Sequence, residues 1–236
     1  MSAGRKIKVL QLIKGLDIGG VNGGAERFSI DLAQSLPADQ YEVSICAFFK
    51  QGTPTEQRWL DQIKQDGIDV FFASHWAGNN NFRSYLQGIT QLNNFLRRHP
   101  YDICHSHFQL GTVAALYFKM TGSVRHAIRT AHIAFEWEKG WYGWLRRQVF
   151  SKWIFPIFLD AEVGVSQAIV DGLRQYPGVK LSRRQPNLIY NAIHLDGLLE
   201  QENQVQPVQN KDKWIVGTVG RLAEQKGHIF LLEAVK

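Results

Sequence analysis

Residues 6–36 read KIKVLQLIKGLDIGGVNGGAERFSIDLAQSL, and this stretch decides the fold. Residues 6–13 are apolar and β-rich. Residues 15–24 hold five glycines, Gly15, Gly19, Gly20, Gly23 and Gly24. Residues 25–36 place Phe28, Leu32 and Leu36 four apart, the spacing of one helix face. Pro37 follows, a residue common just beyond helix ends. Strand, glycine-rich loop and helix in that order open a βαβ unit.

Working outward, the alternation continues. Further strands are expected at 41–49, 69–73, 102–107, 126–131 and 161–165, with another strand end at 188–190. Helices are expected at 56–65, at 82–98, in a segment ending at Lys119, at 141–158 with a kink before Pro156, and after the capping residue Ser166. Strands separated by helices of this length imply a parallel α/β sheet, Rossmann-like, with helices on both faces. Such sheets bind ligands at the carboxyl ends of their strands.

Residues 200–212 break the pattern. They are polar, Gln-rich and contain Pro207, as an interdomain linker would be. Residues 214–219 then restart a strand, Gly220-Arg221 a turn and 227–236 a helix. A lone βα unit cannot bury both faces of its strand. The expected division is therefore 1–196 as an N-terminal domain, 197–212 as a linker, and 213–236 as the truncated start of a second Rossmann-like domain.

Composition narrows the class. Of 236 residues 44% are hydrophobic and 20% charged, which suits a folded domain rather than a disordered chain. The balance of 27 Lys+Arg against 21 Asp+Glu gives +6. That surface suits phosphate-bearing ligands, anionic lipid or nucleic acid. No recognised nucleic-acid module appears, so no nucleic-acid partner is expected. Cys46 and Cys104 sit in apolar runs and read as free core thiols, with no zinc or disulfide spacing. The N-terminus is too short for a signal peptide's apolar region, and no stretch approaches the ~20 apolar residues of a spanning helix. A cytoplasmic location is expected, at most peripheral to the membrane's cytoplasmic face.

The residues just past the strands carry the candidate chemistry. Gly19-Gly20-Val21-Asn22-Gly23-Gly24-Ala25-Glu26 combines close backbone approach with a helix N-terminus, which favours an anion or an oxygen-rich ligand. A tight structural turn is the plainer reading. A dinucleotide site fits poorly. The spacing is not G-x-G-x-x-G, and the second strand ends Phe48-Phe49-Lys50 with no acid for a ribose. His105 and His107 share one side of the fourth strand. Without an acid or third ligand they make a weak metal site, and no metal is expected. His107 reads either as a crevice residue bonding substrate or as a satisfied structural histidine. His132, past the fifth strand, can donate to a sugar hydroxyl or transfer a proton. Arg221 and Lys226 flank a helix start and suit a diphosphate, stabilising it as it departs; a solvated basic turn is the alternative.

In order and spacing, Gly23-Gly24-Ala25-Glu26, His105-Ser106-His107, Thr130-Ala131-His132, Val165-Ser166, Ile189-Tyr190-Asn191-Ala192-Ile193, Gly220-Arg221-Leu222 and Gln225-Lys226-Gly227 resemble the GT-B-fold retaining glycosyltransferases of the GT4 family. The resemblance implies an N-terminal acceptor-binding domain and a C-terminal domain for the sugar nucleotide. It implies catalytic roles for His132 and Glu26, with Glu26 otherwise complementing the helix dipole. Gly23, Gly24, Gly220, Arg221 and Lys226 would meet the donor and its phosphates, and His107 and Asn191 the acceptor. Asn191-Ala192 stands where Asn-Gly is commoner. The implied reaction moves a hexose from a UDP- or GDP-sugar to a polysaccharide or lipid-linked acceptor, with retention, without metal or further cofactor. The 236 residues alone would be inactive. A non-catalytic acceptor-binding domain, half of a split enzyme, and a sugar-phosphate synthase on the same fold are the rival readings.

One more segment stands out. Trp137, Trp141, Tyr142, Trp144 and Trp153 interleave with Lys139, Arg146, Arg147 and Lys152. This composition suits an anionic membrane surface; a helix packing its aromatics under the sheet is the alternative.

Overall fold

The structure is a computed structural model that describes residues 5–20, 22–76, 81–133, 140–192, 215–220 and 226–235. The expected linker 197–212, Arg221, Trp137 and Lys139 lie outside the described residues. The chain divides into a unit of Met1–Ile193 and a smaller one of His194–Lys236.

The first unit is built on seven strands: β1 (Ile7–Ile13), β2 (Tyr41–Lys50), β3 (Asp69–His75), β4 (Tyr101–Ser106), β5 (Val124–Ala131), β6 (Ala161–Gly164) and β7 (Asn187–Leu188). All pairings are parallel, in the order β3-β2-β1-β4-β5-β6-β7. The order reverses between β1 and β4, so a crevice opens there beyond the strands' carboxyl ends.

Helices α1 (Gly24–Ser35) and α2 (Pro54–Gln65) cover one face, where Ile13, Ile30, Ile45, Ala47 and Ile63 cluster. Helices α3 (Asn81–Arg98), α4 (Gln109–Met120) and α6 (Phe155–Phe158) cover the other, against Leu10, Leu12, Cys46, Phe48, Cys104, Phe118 and Phe155. Alternate residues of each strand thus enter opposite cores. Helices α7 (Gln167–Arg174) and α8 (Pro177–Ser182) bury Ile169, Leu173, Tyr176 and Val179 with Ala131. Both cysteines are buried thiols, and burial pushes Cys104 up to about 12.

Several expectations are corrected. On α1 the buried stripe is Glu26, Ser29, Ile30 and Ala33, while Phe28, Leu32 and Leu36 are only half-buried. The four-residue spacing marks the helix but runs along the edge of its buried face. Helix α2 starts two residues early because Thr53 accepts the Glu56 N–H at 3.1 Å and Pro54 suits a first turn. The 141–158 segment is helical throughout, as α5 (Trp141–Arg146), a π-helical stretch Arg147–Ile154, and α6. The irregularity is this widened π turn before Pro156. Proline itself sits in the first turn of α6, where a missing N–H is tolerated. Helix α8 was not foreseen.

In the second unit, residues 215–219 form no strand, against expectation. Ile215, Val216 and Val219 are exposed, and no neighbouring strand pairs with them among the described residues. A β-run without a ladder has nothing to satisfy its backbone groups. A short helix α9 (His228–Ala234) follows Gly227.

Candidate functional site

Loops after β1, β4 and β5 meet at the crevice. After β1, the chain turns on Asp17. Its carbonyl accepts the N–H groups of Gly20 and Asn22, and its carboxylate accepts the Thr53 hydroxyl at 2.9 Å. Gly19 has φ +96°, a conformation that favours glycine. A Cβ on Gly20 would come within 2.3 Å of the Asp17 carboxylate, so a side chain there would push that carboxylate from its place beside the Thr53 hydroxyl. Asn22 is buried and its side-chain NH2 donates to Gln51 at 3.0 Å, while its side-chain oxygen Oδ1 has no hydrogen-bond partner.

Helix α1 then starts at Gly24, with Gly23 as its cap. Glu26 accepts the Gly23 N–H at 2.9 Å and is buried. That bond satisfies a backbone donor near the helix start and sets a negative charge there. Gly24 is open: a Cβ there would meet nothing within 4 Å.

Three histidines stand beside this helix start. His105 and His107 lie on the α1 side of β4, their rings 4.3 Å apart. The His107 N–H bonds the carbonyl of Leu12, fixing the chain just past β4 to the end of β1. His107 Nδ1 is 3.2 Å from His132 Nε2, and His107 Nε2 is 2.8 Å from Gln11 Oε1. His105 Nε2 is 2.8 Å from the Thr130 hydroxyl. Phe28 of α1 sets its ring edge-on to both His107 and His132, at 6.1 and 5.5 Å.

Burial dominates the electrostatics. It lowers His132 to about 4 and His105 to about 4, and His107 further below its usual range, with the neighbouring imidazoles adding to the last two. All three rings are neutral at pH 7, so they act through hydrogen bonds rather than charge. Among the described residues no group of three His, Cys, Asp or Glu is arranged to hold a metal ion.

The structure therefore brings Gly23, Gly24, Glu26, His107 and His132 to one crevice. His107 is buried and spends both ring nitrogens on Gln11 and His132, which makes it a support for His132. Asn191 is exposed beyond β7, and no hydrogen bond or ring contact ties it to the histidines among the described residues. Gly220 and Lys226 belong to the second unit, where the Lys226 Cδ lies 3.8 Å from a Cβ built on Gly220. Gln11 was missed by the sequence reading. Its signal was a lone polar residue inside the apolar run Val9-Leu10-Gln11-Leu12-Ile13.

Comparison with known proteins bears on the family and on the fold. The sequence model of Glycosyltransferase Family 4 matches residues 22–196. No curated protein matches the chain. Among solved structures it is similar to Anabaena Alr3699/HepE, solved in complex with UDP and glucose, at 20% identity and a TM-score of 0.65; the match covers 97% of this chain and 57% of that one. It is also similar to a glycosyltransferase from Rickettsia africae ESF-5, at 16% identity and a TM-score of 0.61, covering 98% of this chain and 57% of that one. At such identities the likeness speaks for the fold, and the chain spans 57% of the length of either structure.

Proposed function

The chain belongs to Glycosyltransferase Family 4, and from that premise we propose that it supplies the acceptor-side domain of an enzyme that moves a hexose from a UDP- or GDP-sugar to a polysaccharide or lipid-linked acceptor, with retention and without metal. The observation that carries this reading is the neutral His107–His132 pair at the sheet's switch point, beside the glycine-rich start of α1. A hexose offers many hydroxyls and no charge, and neutral imidazoles in a buried setting suit it. The similar Anabaena structure, solved with UDP and glucose, adds support for a nucleotide-sugar donor.

In this reading His132 orients the donor sugar. The open backbone at Gly24, next to Gly23, leaves room for the donor's phosphates at the helix start. Glu26 holds that loop in shape. Arg221 and Lys226, from the second unit, would steady the diphosphate as its bond to the sugar breaks, the acceptor oxygen bonds the sugar carbon, and the acceptor hydroxyl's proton passes to the departing diphosphate. Asn191 is assigned to the acceptor side. The domain division at 196 and 212 is part of the same proposal. The exposed aromatic and basic helix at residues 141–153 would rest on an anionic membrane carrying a lipid-linked acceptor.

Titration of the 236-residue chain with UDP, GDP and a panel of glycan acceptors tests this. Glycan binding weakened in Asn191→Ala and kept in His132→Ala, together with weak nucleotide binding, is the expected result. Tight UDP or GDP binding would mean that the donor site is complete in this chain. Binding of neither class would overturn the reading.

A further inference from the structure

The hydrogen-bond polarity of the histidine chain is set from its inner end. Gln11 lies in mid-strand on β1 and is 1% exposed. It pairs in register with His105 of β4, so its side chain shares their face. Its Oε1 is 2.8 Å from His107 Nε2. A carbonyl oxygen offers only lone pairs, so His107 Nε2 must carry the hydrogen. A neutral imidazole has one N–H, which leaves Nδ1 of His107 as an acceptor. That atom is 3.2 Å from His132 Nε2. His132 must therefore donate from Nε2, and its Nδ1 keeps the lone pair.

We infer that Gln11, acting through His107, is the positioning residue that holds His132 in its Nε2–H tautomer, so that His132 meets a sugar hydroxyl as a hydrogen-bond acceptor. The inference deepens the proposed function and rests on His132 facing the hexose. The environment supports it. The His105 ring lies against His107, and Phe28 stands edge-on to both His107 and His132, so the rings are held in place on one side. Gln11 is suited to the task because an amide is uncharged and fixes polarity without protonating its neighbour. Were the amide turned over, its NH2 would donate to His107 Nε2, every bond in the chain would reverse, and His132 would present an N–H instead.

Nitrogen NMR of the full chain with 15N-labelled histidine reads the tautomers directly, with no sugar present. The expected result is a protonated Nε2 and an unprotonated Nδ1 on His132 at pH 7, and a mixture of both tautomers in Gln11→Met. Wild-type His132 protonated on Nδ1 would overturn the inference, as would an unchanged tautomer in Gln11→Met. The wild-type spectrum decides even if the variant fails to fold. Because the readout needs no substrate, a correct tautomer with no glycan or nucleotide binding would defeat the proposed function and the sugar contact with it, and leave the tautomer set by Gln11 standing.

Discussion

Three imidazoles in a chain, a buried His107 between half-buried His105 and His132, make the site sensitive to acid. Each titrates below its usual value of 6.5 in the folded protein. As pH falls, the unfolded chain takes up these protons first, so it gains on the folded state. The associated stability is complete above about pH 6.5 and is lost as the pH falls toward about 4. Urea unfolding should show a decline on the order of 1 kcal/mol or more between pH 7 and pH 5. His105→Gln should shrink that decline. A profile unchanged in the variant would contradict the neutral, buried reading. The sequence made His105, His107 and His132 visible because they sit at strand ends. It could not show that Gln11 closes the chain, since Gln11 and His107 lie 96 positions apart and meet only through the β1–β4 pairing.

At the scale of elements, Glu26 is the test of what a carboxylate at a helix start is for. Its oxygen accepts the Gly23 N–H, a bond that glutamine can also accept. Glu26→Gln should keep the thermal midpoint within about a degree or two, while Glu26→Ala should cost about 1 kcal/mol. Thermal melts of the two variants check this, and an equal loss in both would point to the charge itself. A second element depends on backbone fit. Pro156 has no N–H to offer the carbonyl of Lys152 four residues back, and this carbonyl faces Gly178 of α8. A Cβ on Gly178 would come within 2.6 Å of it. Gly178→Ala should therefore lower stability by about 1–3 kcal/mol in urea unfolding; a neutral effect would mean that α8 can shift off the π-helical stretch. Element types were legible because strand runs and helical spacing are local properties. The π turn, α8 and the true buried face of α1 depend on what packs against them, which no local pattern carries.

At the scale of the molecule, the sheet follows from the alternation of strands and helices, and the crevice follows from the sheet's reversal between β1 and β4. The strand expected at 214–219 had no such support, because no strand pairs with residues 215–219 among the described residues. The remaining whole-molecule question is where the surface meets its surroundings. Trp141, Tyr142 and Trp144 are 64, 63 and 61% exposed, and Leu145, Val149, Trp153 and Phe158 are exposed around them. This segment thus turns one aromatic face outward, with exposed Arg146 and half-buried Arg147 and Lys152 among the rings, while Phe150, Ile154 and Phe155 pack toward the core. No helix among the described residues is long and apolar enough to cross a membrane. An aromatic surface with interspersed cations suits the headgroup region, where rings enter the interface and cations meet anionic lipid. Co-sedimentation should show binding to vesicles containing anionic lipid, weak binding to neutral ones, and a fall with added salt. Trp141→Ser/Trp144→Ser should weaken binding roughly tenfold or more while leaving the thermal midpoint nearly unchanged, since both rings are already in water. Undiminished binding by the double variant would remove this helix from the membrane contact. Equal binding to neutral and anionic vesicles would remove the charge argument and leave the aromatic one.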